Sequence, residues 1–237
     1  VFVDFDLCMG GPVLTDRSCP QPRGRSWTMR RPLLISAVLM LLATHPVLAA
    51  PAPMDRMPPM TAGQMTPEQK AVTDKIMLTR RTLSGPLSVW VRSPKLAEPL
   101  AGVGEYIRFQ ALPKPVREFA IMIASSEWGA QLEWNLHYRE AVGAGIRPEI
   151  LQAIADRRRP DGMSPDETLV YDFSRALHRD HGNMPDALFE AVRARFGESD
   201  LVDLIGVNAY YGLVAMTANA TRSTVPPSAA PVLKPLS

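Results

Sequence analysis

Residues 117–146 read REFAIMIASSEWGAQLEWNLHYREAVGAGI. From Phe119 to Ala124 the run carries no charge, as expected of a helix buried on all sides. Gly129 breaks it, and a second helix restarts with Glu133 and His137. Those two are four residues apart, so they share one helical face. Ala130, Ala141 and Ala144 are small neighbours that leave a hollow beside it. A carboxylate next to an imidazole in such a hollow is a proton-transfer pair in the making.

Working outward, punctuation marks a succession of helices. Thr66-Pro67-Glu68-Gln69 combines an N-cap threonine, a proline at the first helical position and a glutamine that completes a capping box. That helix is expected to run to about Thr82, where Ser84-Gly85-Pro86 breaks the chain. A helix opening after Ser93-Pro94 is expected to reach Gln110, with Leu96, Leu100, Val103 and Ile107 on one side. Pro113 and Pro115 precede the helix of Glu118. Arg147-Pro148-Glu149 opens a short element, and Ser164-Pro165-Asp166-Glu167 is a second capping box for a helix to about His178. A further helix runs from Pro185 to Gly197, and Ser199 or Asp200 caps the last, through about Ala220. No window alternates as a strand would. The fold class is all-α.

The last helix carries no charge from Leu204 to Ala220. Asn208, Asn219 and two glycines make it a poor bilayer span and a good buried or intersubunit helix. Stable membrane insertion is therefore not expected.

The pattern E-W-x-A-x-x-E-W-x-x-H over 127–137, followed by A-x-x-A-G-I-R-P-E-I-L-Q-A-I over 141–154, resembles the carboxymuconolactone decarboxylase family, which includes the alkylhydroperoxidase D-type proteins. The likeness runs from about Ala71 to Ala220, through Tyr171-Asp172-Phe173 and Asn208–Asn219. It implies a helical bundle of the alkylhydroperoxidase D-like type that assembles into trimers or larger rings. The peroxidase branch carries a Cys-x-x-Cys ahead of the histidine. Here those positions are Ala130 and Glu133, and without a thiolate the thiol chemistry has no nucleophile. The resemblance thus points to the cysteine-less branch. It implies acid/base chemistry, of lyase or isomerase type, on a small organic acid or lactone. In the family's reaction, loss of CO₂ leaves a dienolate that needs a proton. His137 would donate it, with Glu118 and Glu133 orienting the ring or tuning it. A peroxidase and a non-catalytic small-molecule binder stay as alternatives.

Trp128, Trp134, Tyr138, Tyr210 and Tyr211 are candidates to line a pocket for a planar compound, and Asn208 and Asn219 to hydrogen-bond it. Arg92 and Arg108 are candidates for a substrate carboxylate. His178 and His181 lie in the charged stretch RALHRDHGN and read as a solvated helix end. Glu118, Glu133 and His137 have ligand chemistry suited to a metal, but no second histidine stands at a recognisable spacing, so neither metal nor cofactor is expected.

Of 237 residues with a net charge of +2, the only basic run is Arg157–Arg159, which reads as a helix end rather than a nucleic-acid surface. Met29-Arg30-Arg31-Pro32 followed by LLISAVLMLLA and Val47-Leu48-Ala49 has the three parts of a secretory signal over 29–49. Residues 1–28 are then expected to be an upstream leader outside the natural protein. Both cysteines, Cys8 and Cys19, fall in it, so the chain exported to the periplasm or medium, starting near Ala50, would have no disulfide. Residues 50–65 read as a Pro/Met-rich tether, 66–222 as the helical domain, and 223–237 as a proline-rich tail that dangles or drapes over a neighbouring subunit.

Overall fold

The computed structural model describes residues 55–80 and 82–236. The leader, the signal segment and both cysteines lie outside them. Proline at the first turn opens most of the helices, where its missing N–H costs nothing: α1 (Pro67–Met77), α2 (Pro86–Trp90), α3 (Pro94–Phe109), α6 (Pro148–Ala155) and α7 (Pro165–Arg179). α4 (Lys114–Glu127), α5 (Gln131–Gly143) and α8 (Asp186–Thr221) complete an all-helical bundle, with no strand among the described residues. Both capping boxes form as their sequences require, Thr66 with Gln69 and Ser164 with Glu167.

Three helix ends share one device. After α4, Gly129 takes φ 59° while Ala130 N–H reaches Ser125 O at 2.8 Å and Gly129 N–H reaches Ser126 O. The same pair of bonds closes α5 through Gly145 and α6 through Arg157. Such a turn needs a left-handed residue, which glycine supplies without strain. Arg157 adopts it at φ 62° because its side chain is held: it donates to the carbonyl of Ser126 and to Lys234 O. Arg157 is thus tied into the protein rather than being part of a solvated helix end.

α4 is the central helix. Every residue from Arg117 to Ser126 is buried, and the helix packs against α5, α6, α7 and α8. Phe119, Ile121, Met122 and Ile123 are at most 1% exposed, which explains the charge-free sequence. α1 and α2 pack on α3, and α2 and α3 reach α8. α8 is broken at Gly197, φ 86° and ψ 169°, at the junction between the two helices expected from sequence. Its second half lies against α4 and α7, and by length and composition alone it could cross a membrane.

Three expectations for the helices need correction. α1 ends at Met77 rather than near Thr82. Pro86–Trp90 is helical, where the sequence suggested only a break. On α3 the buried line is Ala97, Gly104 and Ile107, while Leu96 and Val103 are nearly half exposed. Small residues face inward because Tyr210 and Arg80 crowd against Gly104 and leave no room for leucine.

The segments at either end of the domain are placed on it. Of the stretch read as a tether, Arg56 N–H bonds Thr221 O at 2.8 Å and Met60 packs against the core. The tail lies on its own chain: Asn135 Nδ2 donates to Pro226 O, Gln131 Nε2 to Pro231 O, and Leu233 N–H to Gln131 Oε1. Lys234 N–H reaches Ala155 O at 2.9 Å, and Leu233 is buried.

Candidate active site

α4 and α5 run together through the turn at Gly129, and this brings Glu118 and His137 into contact across 19 positions of sequence. His137 Nδ1 lies 2.8 Å from Glu118 Oε2. A carboxylate can only accept, so Nδ1 carries the proton and Nε2 is turned toward α8. There the hydroxyl of Tyr211 lies 3.2 Å from it. Arg117 Nε sits 3.4 Å from the other oxygen of Glu118, and its Nη1 donates to Leu112 O. All four side chains are buried or nearly so.

Glu133, one turn back on α5, has Oε2 4.0 Å from His137 Nε2. Its Oε1 is buried with no hydrogen-bond partner among the described residues. An unpartnered carboxylate so placed costs several kcal/mol or takes a proton. Burial accordingly pushes the Glu133 carboxyl above its usual range, against the pull of His137 and Arg108. For Glu118, burial acts in the same upward sense, but the hydrogen bond and charge of His137 and the adjacent Arg117 outweigh it and hold the carboxyl below its usual range. Burial drives the Tyr211 phenol far upward, so its hydroxyl keeps its proton.

These groups form one wall of a cavity of about 670 Å³. The loop ahead of α2 supplies Ser84 and Gly85, α2 supplies Pro86, α3 supplies Arg108, and α8 supplies Tyr210 and Tyr211. Gly85 takes φ 58° so that the chain can turn past Glu133; a side chain there would be strained.

The residues singled out from sequence divide between two places. Glu118, Glu133, His137, Tyr210, Tyr211 and Arg108 meet in the cavity. Trp128, Trp134, Tyr138, Asn208 and Asn219 do not line it. Trp134 is wholly buried in the core, and Tyr138 packs against that core. Trp128 Nε1 donates to His178 Nδ1 at 3.2 Å, so His178 Nε2 bears the proton and meets Asn208 Oδ1 at 3.1 Å. Asn208 Nδ2 passes the chain to Ser174 Oγ and Leu204 O, while Asn219 Nδ2 caps Trp128 O. These polar side chains on an apolar helix satisfy one another, which is why they are there. His178 is thereby a partly buried structural group, not a solvated helix end. Arg92 is occupied by Ser88 O and Pro58 O, away from the cavity. Ala130 and Ala141 are buried packing residues, and Ala144 lies on the far side of α4. Room in the site comes instead from Gly85 beside Glu133, while the space at Gly104 is taken by Tyr210 and Arg80.

Arg80, Trp90 and Gly104 also line or shape the cavity, and sequence inspection did not single them out. A cation near the end of α1 and a glycine inside α3 have no local pattern that separates them from surface and packing residues.

No family model matches the chain, and no curated protein matches it. Among solved structures, the debrominase Bmp8 is similar, both in its apo form and as a cysteine-to-alanine variant in complex with 2,3,4-tribromopyrrole. Each superposes with a TM-score of 0.55 at 18% identity, covering 71% of this chain and 90% of the other. The likeness establishes a shared all-helical fold.

Proposed function

We propose that this chain is a cysteine-less, carboxymuconolactone decarboxylase-like enzyme that moves protons on a small organic acid or lactone. The observation that carries the reading is the Glu118–His137–Glu133 arrangement: one carboxyl held below its usual range, one imidazole and one carboxyl pushed above its usual range, facing a common cavity. Enzymes that run acid and base chemistry at one pH set neighbouring groups apart in this way. That a solved structure of the same fold is a debrominase, shown with a small bromopyrrole, supports small-molecule chemistry in general and no particular reaction.

For a decarboxylation, the breaking C–C bond leaves its electron pair on the substrate as a dienolate while CO₂ departs. His137 gives a proton from Nε2 to the carbon that ends as C–H. Glu118 offsets the charge of the imidazolium and fixes the ring through Nδ1. Tyr211 holds Nε2 until substrate displaces its hydroxyl. Glu133, with Oε2 4.0 Å from Nε2, is placed to return that proton for the next turnover. A peroxidase of the thiol type has no support here, since Ala130 and Glu133 stand where its cysteines would be.

The test is turnover of a panel of small lactone acids and unsaturated acids by the parent and by His137→Ala, with the proton transfer read by solvent deuterium incorporation. Loss of turnover in the variant supports catalysis. Binding without turnover by the parent would leave a small-molecule binder.

A further inference from the structure

Four cations line the cavity, and two of them are already neutralised. Lys114 Nζ is 2.8 Å from Glu140 Oε2, and Arg117 faces Glu118 and Leu112 O. Arg80 and Arg108 have no carboxylate or carbonyl acceptor among the described residues. The Arg108 guanidinium lies over the Phe109 ring, 5.6 Å from its centroid.

α3 is built to bring them together. A Cβ at Gly104 would lie 2.1 Å from the Tyr210 hydroxyl and 3.3 Å from Arg80 Nη2. The gap at Gly104 is therefore filled by those two groups, and Arg108 is one turn further along the same face. Arg80 sits lower than an ordinary arginine, first through burial and then through the charge of Arg108, so the two guanidiniums oppose each other at rest. The Tyr210 hydroxyl has no hydrogen-bond acceptor among the described residues, and burial pushes it up to about 12, so it stays a donor. Arg108 also acts on Glu133, which places it on the reacting side of the cavity.

We propose that Arg80, Arg108 and the Tyr210 hydroxyl bind a carboxylate group, and that the compound acted on is a small organic carboxylate rather than a neutral lactone. The proposal rests on the proton-transfer reading only in assigning the same cavity to substrate. Two guanidinium forks and a hydroxyl match the two oxygens of a carboxylate and relieve the repulsion between the forks. Trp90, Leu87 and Val214 supply apolar walls for an organic body.

Calorimetric titration of the full chain with benzoate, benzamide and inorganic phosphate tests this. Benzoate should bind, and the two others should bind far more weakly. Arg80→Gln and Arg108→Gln should each weaken benzoate by on the order of tenfold to a hundredfold, as loss of a charged hydrogen bond does. Gly104→Ala retains every charge but displaces Tyr210 and Arg80, and should weaken benzoate too. Lys95→Gln, exposed on α3, should leave binding unchanged. Circular dichroism and thermal melts establish that each variant is folded. Benzamide or phosphate binding as tightly as benzoate, or parent affinity in both folded arginine variants, would overturn the proposal. His137→Ala should still bind benzoate. If it also keeps turnover, the carboxylate site stands and the proton-transfer reading falls.

Discussion

Glu118 and Glu133 lie within reach of the same imidazole and are pushed in opposite directions. The cause is partnership: Glu118 has His137 and Arg117, and Glu133 has only distant charges around a bare oxygen. His178 offers a contrast at the same scale. Its two ring nitrogens are both satisfied, by Trp128 and Asn208, in the neutral form alone. Burial lowers its pKa, with the Asn208 bond and Glu127 pulling the other way. The unfolded chain therefore takes up a proton below about 6.5 that the folded chain resists. Its contribution to stability is fully present at neutral pH and is lost as pH falls from there toward the lowered folded value. Glu118 works in the same sense at lower pH, and Glu133 in the opposite one, its contribution being lost as pH rises through its raised folded value. Thermal melts of parent and His178→Gln between pH 7.5 and 5.5 isolate the histidine. The parent should lose stability with acidification more steeply than the variant; parallel curves would show that the ring is not held neutral.

Among the elements, the C-terminal tail packs behind the site. It binds the Gln131–Asn135 side of α5, whose other side carries Glu133 and His137. Net hydrogen bonds contribute about 0.5–1.5 kcal/mol each, and burial of Leu233 about 1.5–3 kcal/mol. Removing residues 223–237 removes these contacts and should lower the melting temperature, with faster amide exchange in the first turns of α5. A truncated chain with unchanged melting and unchanged exchange would show that the tail is idle. Its docking was not readable from sequence, because a proline-rich segment has no periodicity and its partners are about 100 positions away. The helices were readable, since Pro67, Pro94, Pro148, Pro165 and the glycines at 129, 145 and 197 mark their ends by local chemistry. In the site, the Glu133–His137 spacing was legible for the same reason. Arg80, Gly104 and the contact of Tyr211 with His137 depend on how α1, α3 and α8 come together, which no local spacing encodes.

At the scale of the molecule, α3 and α8 expose a common apolar region. Tyr106 on α3 bonds Asp203 on α8, and Val103, Val202 and Ile205 beside them in sequence are exposed. We propose that copies of the chain associate through this face, and that the protein is exported and cleaved near Ala49. Native mass spectrometry of protein recovered from the periplasm or medium reads both. The expected subunit begins near Ala50, lacks Cys8 and Cys19, and assembles as a trimer or a multiple of one. A monomer whose mass includes residues 1–49 would contradict both.

The central claim is that Glu133, His137 and Glu118 act as one proton-transfer unit. With a turned-over acid in hand, the direct measurement is kcat/KM for His137→Ala, Glu133→Gln and the double variant, across pH. Groups acting together lose rate non-additively, and a positioned acid or base contributes on the order of 10²–10⁴. Each single variant should fall by that order, the double variant should fall hardly further, and Glu133→Gln should shift or remove a limb of the pH profile. Single variants that retain parent kcat/KM and pH profile, differing only in melting temperature, would show that the cluster holds the fold and does no chemistry.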